Sequence, residues 1–409
     1  MHILHVTLGF YPAQGWGGPV KVVHQNSREL VRRGHRITVY CTNLLDKRKK
    51  MRTETEEKRM DGMRIVYFNT INLRWWPGTL GPIWLPDLAA YLKREMEIYD
   101  IVHLNGYRSP MMLAVARAAR RAGVPIVTQP HGCLPVIINS LLVKKAYDRF
   151  FGHKELVGIS ALIALQKTER EQARALGVPD DRIEIVTNGV DPRERDAVPE
   201  EGSFRRRFGL DPKKPLILFL GRINKIKGTD MLIEAFARLK CVDTQLVIAG
   251  PDDGQLLSIK EAITRFSLEK KVFLPGLLCG LDVLSALRDA DLFVLPSRYD
   301  AFPFAVIEAC LMGTPMVITD RCEIAELLRD RIAEIAPFDA AAFALAMERL
   351  LTDEERRQRY RVNCNDLIEK SFSIHAVVDR IEAVYTRALA QTVHEEAIGR
   401  DALSRTSRR

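Results

Sequence analysis

No Cys-x-x-Cys pair occurs in the 409 residues, and the seven cysteines are scattered without a Cys/His cluster at zinc spacing. That excludes a zinc module and favours reduced thiols in a cytosolic compartment. No basic leader precedes a long apolar core at the amino end; Met1-His2-Ile3-Leu4-His5-Val6 reads as a first strand and not as a signal peptide. Residues 124–143 carry no Asp, Glu, Lys or Arg, but Pro125, Gln129, Pro130, His131, Pro135 and Asn139 interrupt them, which excludes a membrane span. No G-x-G-x-x-G fingerprint is present, which argues against a nicotinamide dehydrogenase. No convincing Asp-x-Asp metal motif is found either, since Asp252-Asp253 sits in a Gly-Pro-Asp-Asp-Gly turn. The formal charge is +9 without any nucleic-acid-binding motif, so the basic excess points to a phosphorylated ligand or an anionic membrane surface before nucleic acid.

What is present is a soluble, globular composition, 47% hydrophobic and 28% charged, long enough for two or three domains. Short apolar strands alternate with helical segments, the signature of parallel β-α-β units with right-handed crossovers. In the first half the expected strands are 3–7, 37–41, 64–68, 101–104 and 125–128, and the expected helices 20–33, 87–96 and 110–122. A second series follows, with strands at 216–220, 245–249, 272–274, 292–295 and 316–319 and helices between them. The fold class is therefore α/β: two Rossmann-like domains, an amino-terminal one over 1–190 and a carboxyl-terminal one over 191–373. A charged, proline-bearing linker is expected at 191–199, a last helix over 374–388 packs back toward the first domain, and residues 390–409 are expected to fray. Residues 47–63, with five Lys or Arg between Lys47 and Arg52, read as a solvated surface loop or hairpin. Residues 74–86 gather Trp75, Trp76 and Trp84, three of the four tryptophans, as a packed lid or a surface for an apolar partner.

Several positions carry candidate chemistry. Arg222 and Lys227 follow the strand 216–220, with Gly221 and Gly228 beside them. Ligands bind at the carboxyl ends of strands in open α/β sheets, and this pair suits a diphosphate. The plain alternative is two surface cations. Asp300 and Glu308 stand eight residues apart, one in a loop after the strand 292–295 and one on the following helix. They suit sugar hydroxyls, or else are an ordinary loop acid and helix acid; glycosidase carboxylates are a third reading. Glu308 lies amid Ala305, Val306, Ile307, Ala309, Cys310 and Leu311, and a charge in so apolar a helix needs a partner such as a ribose diol. Gly15-Trp16-Gly17-Gly18 opens a helix after the first strand, where glycines allow close backbone approach, or simply a tight turn. His131-Gly132 follows the strand 125–128 in a segment free of other charge. Asn188-Gly189-Val190-Asp191 ends the first domain and is most simply a turn.

Taken in order, Gly17-Gly18, Arg33-Gly34-His35, His131-Gly132, Asn188 to Asp191, Gly221-Arg222 with Lys227-Gly228, and Asp300 to Glu308 resemble family 4 glycosyltransferases across nearly the whole chain. This chain departs from the family pattern at Asp300, where a glutamate is usual, at Ala301, where a glycine is usual, and at 319–323, which lack paired glycines.

The resemblance implies the GT-B architecture, with two parallel sheets facing a central cleft. It implies a retaining, metal-independent transfer of a sugar from a nucleotide-diphosphate donor to a hydroxyl, in glycan, polysaccharide or glycolipid assembly. The nucleotide sugar is a co-substrate and no cofactor is expected. Residue by residue, it places Arg222 and Lys227 on the diphosphate, Glu308 on the ribose, Asp300 on the donor sugar and the amides of Phe304, Ala305 and Val306 at the phosphates. It places His131 near the reacting centre, with Gly17, Gly18 and Asn188 as further donor contacts. Members acting on lipid-linked glycans add an anionic membrane surface to the expected partners, met by the tryptophan loop and by the basic and apolar run 141–151; core packing accounts for the same residues equally. The expected location is cytoplasmic, peripheral at the membrane face. Two other readings stay open: a nucleotide-sugar epimerase or hydrolase of the same architecture, and a non-catalytic nucleotide-sugar binder.

Overall fold

The computed structural model describes the chain apart from residues 47–48, 52–53, 73–82, 137–140, 153–154, 157, 241–242 and 407–409, and apart from the side chains of residues 14, 72 and 393–406. It divides into two compact units, Met1–Thr187 with Ile374–Arg409, and Asn188–Ser373.

The first unit is built on eight strands: β1 (His2–Thr7), β2 (Arg36–Thr42), β3 (Glu56–Met60), β4 (Met63–Phe68), β7 (Ile101–Asn105), β8 (Ile126–Gln129), β9 (Ala161–Ala164) and β10 (Ile183–Ile185), with β5 (Ile71–Asn72) and β6 (Ile83–Trp84) pairing apart from them. Their order is β10-β9-β8-β7-β1-β2-β4-β3, parallel throughout except that β3 runs antiparallel to β4. The inner strands are buried on both faces, as helices on both sides of a parallel sheet require. β3 reads Glu-Glu-Lys-Arg-Met and is solvated, which suits an edge strand. Residues 47–63 thus contain one solvated arm of a hairpin, the second of the two forms expected for this stretch. The order reverses between β1 and β7, so the carboxyl ends of these strands form the crevice edge of this unit.

The helix Gly18–Arg32 and the long helix Ile374–Thr406 cover one face together. Val377, Val378, Ile381, Val384, Tyr385 and Ala388 recur at helical spacing and join one core with Val23, Leu30, Val39 and Ile65. Arg33 clamps the pair by donating to Asp379, Glu382 and the His375 carbonyl (2.6, 2.5 and 2.9 Å). The helix runs to Thr406, through the stretch from residue 390 where fraying is expected.

The second unit holds six parallel strands: β11 (Leu216–Leu220), β12 (Gln245–Ala249), β13 (Val272–Gly276), β14 (Leu292–Leu295), β15 (Met316–Thr319) and β16 (Ala333–Ala336), ordered β13-β12-β11-β14-β15-β16. Its switch point falls between β11 and β14. Residues 191–199, expected as a linker, are held on this unit. Arg288 donates to the carbonyls of Arg195, Val198 and Pro199, and Arg195 to that of Leu311. Val190 N–H donates to Phe372 O at 2.8 Å, pairing the unit's entry and exit segments.

Candidate functional site

At the carboxyl ends of β11 and β14 two loops meet. The first runs from Gly221 to Gly228 and the second from Pro296 to Pro303. Gly228 has φ 67°, and a Cβ there would lie 1.9 Å from the Pro296 carbonyl oxygen, so only glycine lets the loops touch. Arg298 fastens the junction from the second loop. Its guanidinium forks onto Asp230 at 2.8 and 2.7 Å and donates to Lys225 O at 2.5 Å, while its own N–H donates to Ile226 O at 2.7 Å. Asn224 closes the turn by accepting from Lys227 N–H through Oδ1 at 3.0 Å.

The two cations named from the sequence both sit here, each against a carboxylate. Arg222 Nη1 donates to Asp253 Oδ2 at 2.9 Å, and Asn224 Nδ2 donates to the same oxygen at 3.0 Å. Lys227 Nζ pairs with Asp300 Oδ2, and both side chains are largely buried. Asp300 is fixed in turn by the 319–323 segment. Its carbonyl accepts from Glu323 N–H at 2.8 Å, and Thr319 Oγ1 donates to Ser297 O at 2.5 Å. Glu308 is 7% exposed on the helix Phe304–Met312, behind Phe304, Ala305 and Val306 at its first turn. The Val306 N–H donates to Pro303 O at 3.1 Å, which occupies that amide. Asn188 is buried, and its Oδ1 has no donor among the described residues.

Asp252 is a turn residue, as expected: its Oδ1 accepts from Gly254, Gln255 and Leu256 N–H. The one Asp-x-Asp spacing, Asp289-Ala290-Asp291, precedes β14 at the opposite end of the sheet. There Asp289 accepts from Gly202 and Arg205 N–H, and Asp291 from Leu216 N–H and the Arg205 guanidinium. Among the described residues no three His, Cys, Asp or Glu side chains are grouped to hold a metal ion.

The first unit presents its own cluster at its strand ends. Gly17, at φ 81°, precedes the helix Gly18–Arg32, and nothing lies within 4 Å of the Cβ it lacks. Trp16 packs on Gly9 and donates from Nε1 to Leu44 O at 3.0 Å, which anchors this glycine turn. His131 follows β8 with φ 54°, a left-handed conformation costly for a side chain of its size. Glu169, fully buried, holds the turn: its carboxylate accepts from Gly132 N–H at 2.6 Å and Leu165 N–H at 2.7 Å. Burial lowers the His131 pKa to about 4, so the ring is neutral at pH 7. His131 Nε2 lies 3.3 Å from Asn105 Oδ1 at the end of β7.

Sequence reasoning missed Asp253, Arg298, Asn105 and Glu169 as members of these sites. Arg298 lay inside the stretch 297–315 without a distinguishing signal, and Glu169 belongs to the helix Lys167–Ala175, itself unassigned from sequence. Trp75 and Trp76 lie outside the described residues. Trp84 is exposed, as are Leu142 (83%), Val143 (69%) and Phe150 (68%) in the run that also carries Lys144, Lys145 and Arg149.

The chain matches two family models, "Glycosyltransferase Family 4" over residues 16–194 and "Glycosyl transferases group 1" over residues 200–365. Among curated relatives, alpha-D-kanosaminyltransferase of Streptomyces kanamyceticus is 28% identical over 330 residues, 78% of this chain and 84% of the relative. The D-inositol 3-phosphate glycosyltransferase of Xylanimonas cellulosilytica is 28% identical over 373 residues, 85% and 87% of the two chains. Two solved structures superpose with a TM-score of 0.73 at 17% identity. The sucrose-phosphate synthase of Thermosynechococcus elongatus covers 96% of this chain and 100% of its own, and Anabaena HepE in complex with UDP and glucose covers 94% and 99%. The chain belongs to the family 4 glycosyltransferases and has the GT-B fold. Its activity is glycosyl transfer from a nucleotide sugar; the epimerase, hydrolase and non-catalytic readings are not favoured.

Proposed function

We propose that this glycosyltransferase works with retention at the anomeric carbon and without a divalent metal, using Arg222 and Lys227 as the fixed cations for the donor diphosphate. The observation that carries this reading is the placement of both cations at the β11/β14 switch point, each oriented by its own carboxylate. Asp253 engages one edge of the Arg222 fork and leaves the planar group directed. Lys227 has three N–H donors, so its pairing with Asp300 leaves two for phosphate oxygens. On the second unit Glu308 takes the ribose hydroxyls, Asp300 the donor sugar, and the first turn of the helix Phe304–Met312 the phosphates; on the first unit His131 takes a sugar hydroxyl. Gly17, Gly18 and Asn188 complete the donor contacts.

The chemistry follows from charge. The bond from the anomeric carbon to the diphosphate oxygen breaks, and its electron pair stays on the diphosphate. The acceptor oxygen bonds to the anomeric carbon from the face the diphosphate leaves, and its proton passes to a departing phosphate oxygen. Cations already in place against the leaving group favour this transition state more than the bound donor. Anabaena HepE is solved with UDP and with UDP-glucose, which supports a nucleoside-diphosphate sugar as the donor class. The acceptor is a hydroxyl of a glycan, polysaccharide or glycolipid.

The enzyme acts in the cytoplasm, peripheral to an anionic membrane. Exposed Leu142, Val143 and Phe150 beside Lys144, Lys145 and Arg149 support that placement, and no described helix is long and apolar enough to cross a bilayer.

The test is turnover with and without a chelator, in the parent and in Arg222→Ala and Lys227→Ala. The expected loss is about 100-fold or more per variant, from removal of one preorganised donor to the developing charge. Activity abolished by chelator and restored by manganese, or near-normal rates in both variants, overturns the reading.

A further inference from the structure

Beneath His131 lies a buried polar chain that the transfer reaction described above leaves unexplained. Asn105 is 4% exposed, and its Nδ2 lies 3.2 Å from the His103 carbonyl oxygen and 3.2 Å from His5 Nδ1. A backbone carbonyl only accepts, so this end of the amide is its NH2 group and the other end is its oxygen. That oxygen faces His131 Nε2 at 3.3 Å. An amide oxygen cannot donate, so the hydrogen in this contact belongs to the imidazole.

We infer that Asn105 fixes His131 in the tautomer protonated at Nε2, leaving Nδ1 as a bare acceptor for a hydroxyl of the substrate sugar. The neutral ring carries one proton, and Asn105 assigns its place. His131 Nδ1 is out of contact with solvent and has no hydrogen-bond partner among the described residues. Such a nitrogen calls for a donor from a ligand or an ordered water; His5 Nε2 and His103 Nε2, deeper in the same chain, are also without a partner among the described residues. A sugar hydroxyl supplies the missing donor. Glu169 holds the backbone of the same turn through the Gly132 and Leu165 amides. The backbone and the ring are therefore fixed separately, by a carboxylate and by an amide.

The rest of the chain agrees with this assignment. The second hydrogen of Asn105 Nδ2 goes to His5 Nδ1, which must then be bare. Burial first, and the nearby His131 second, lower the His5 pKa to about 3, so that ring also stays neutral. His103 is likewise driven below its ordinary value, chiefly by burial, and its Nδ1 pairs with Tyr385 Oη at 2.6 Å on the helix Ile374–Thr406. Two further neutral imidazoles, His5 and His103, thus stand behind the His131 ring. Asn105 is a positioning residue; the contact with substrate belongs to His131.

This inference rests on the placement of His131 at the substrate sugar, and the experiment separates the two claims. Imidazole nitrogen shifts are read by two-dimensional NMR on the full chain labelled with nitrogen-15 histidine, at neutral pH, with His131→Gln assigning the signals. The expected pattern for His131 is a protonated Nε2 and an unprotonated Nδ1. A protonated Nδ1, or an imidazolium, overturns the inference in the parent protein without recourse to a variant. Asn105→Leu, checked for folding by circular dichroism, is expected to mix the two tautomers and lower kcat/KM about tenfold, roughly the effect of one hydrogen bond. Loss of activity in His131→Ala with unchanged tautomer and rate in Asn105→Leu sinks the role of Asn105 alone. Full activity in His131→Ala removes the substrate placement itself.

Discussion

Replacing Glu169 by glutamine keeps the side chain's shape and removes one acceptor. In the parent both carboxylate oxygens accept from backbone amides, Oε1 from Gly132 at 2.6 Å and Oε2 from Leu165 at 2.7 Å, with the side chain fully buried. A glutamine oxygen can accept from only one of these. The other amide then faces an NH2 group, and a buried donor is left without an acceptor. A hydrogen bond to a charged group contributes about 1.5–3 kcal/mol, and the surviving bond becomes a neutral one, so the total cost is about 2–4 kcal/mol. For a unit of this size that corresponds to a fall in melting temperature of roughly 5–15 °C. All four tryptophans, Trp16, Trp75, Trp76 and Trp84, fall within the first unit, so tryptophan fluorescence during urea titration follows this unit's unfolding. The turn also carries His131 at φ 54°, a conformation that persists only while its surroundings impose it. The kcat should therefore fall, while affinity for a free nucleoside diphosphate stays unchanged, because Arg222, Lys227 and Asp300 are untouched. An unchanged urea midpoint together with parental kcat would refute the assignment of Glu169 as the clamp of this turn.

Three further outcomes follow from other contacts. Gly228→Ala puts a Cβ where the Pro296 carbonyl oxygen already stands, in a left-handed residue; a loss of about 2–5 kcal/mol in a circular dichroism melt and weaker nucleoside diphosphate binding are expected. Glu155, whose Oε2 accepts from Tyr147 Oη at 2.7 Å, has its pKa raised by burial to about 7. Because the folded-state pKa lies above the unfolded one, its contribution is fully present below about pH 4.5 and is lost as pH rises through about 7. The stability of Glu155→Gln relative to the parent should accordingly improve by up to about 3 kcal/mol between pH 4.5 and pH 8, measured by urea denaturation; a pH-independent difference contradicts the burial argument. Leu142→Ser combined with Val143→Ser and Phe150→Ser should abolish co-sedimentation with anionic vesicles and leave turnover on a water-soluble acceptor intact. Equal sedimentation of parent and variant rules out this run as the membrane contact.

The groups assigned to the donor diphosphate were legible because they sit beside local signals. Arg222 and Lys227 are bracketed by Gly221 and Gly228 after Leu-Ile-Leu-Phe-Leu, a strand whose burial on both faces forces an unbroken apolar run. Glu308 stood out because every neighbour on its helix is apolar. Strands that were short or at an edge gave weaker signals. Ala161–Ala164 spans four residues, and Glu56–Met60 is polar because one side of it meets water. The residues that orient the chemistry had no local mark at all. Asp253 reaches Arg222 across 31 positions, Asn105 reaches His131 across 26, and Glu169 reaches Gly132 across 37. Each becomes a partner only after parallel strands bring their carboxyl ends to one edge, and strand order is a product of the whole sheet. The same geometry accounts for the structural role of the Asp289-Ala290-Asp291 spacing. Asp289 and Asp291 lie before β14 and Asp300 after it, so one strand separates acids that fasten the base of the unit from the acid beside Lys227. Which end of a strand an acid occupies decides its chemistry, and that is settled by chain direction through the sheet, more than by the spacing of the acids themselves.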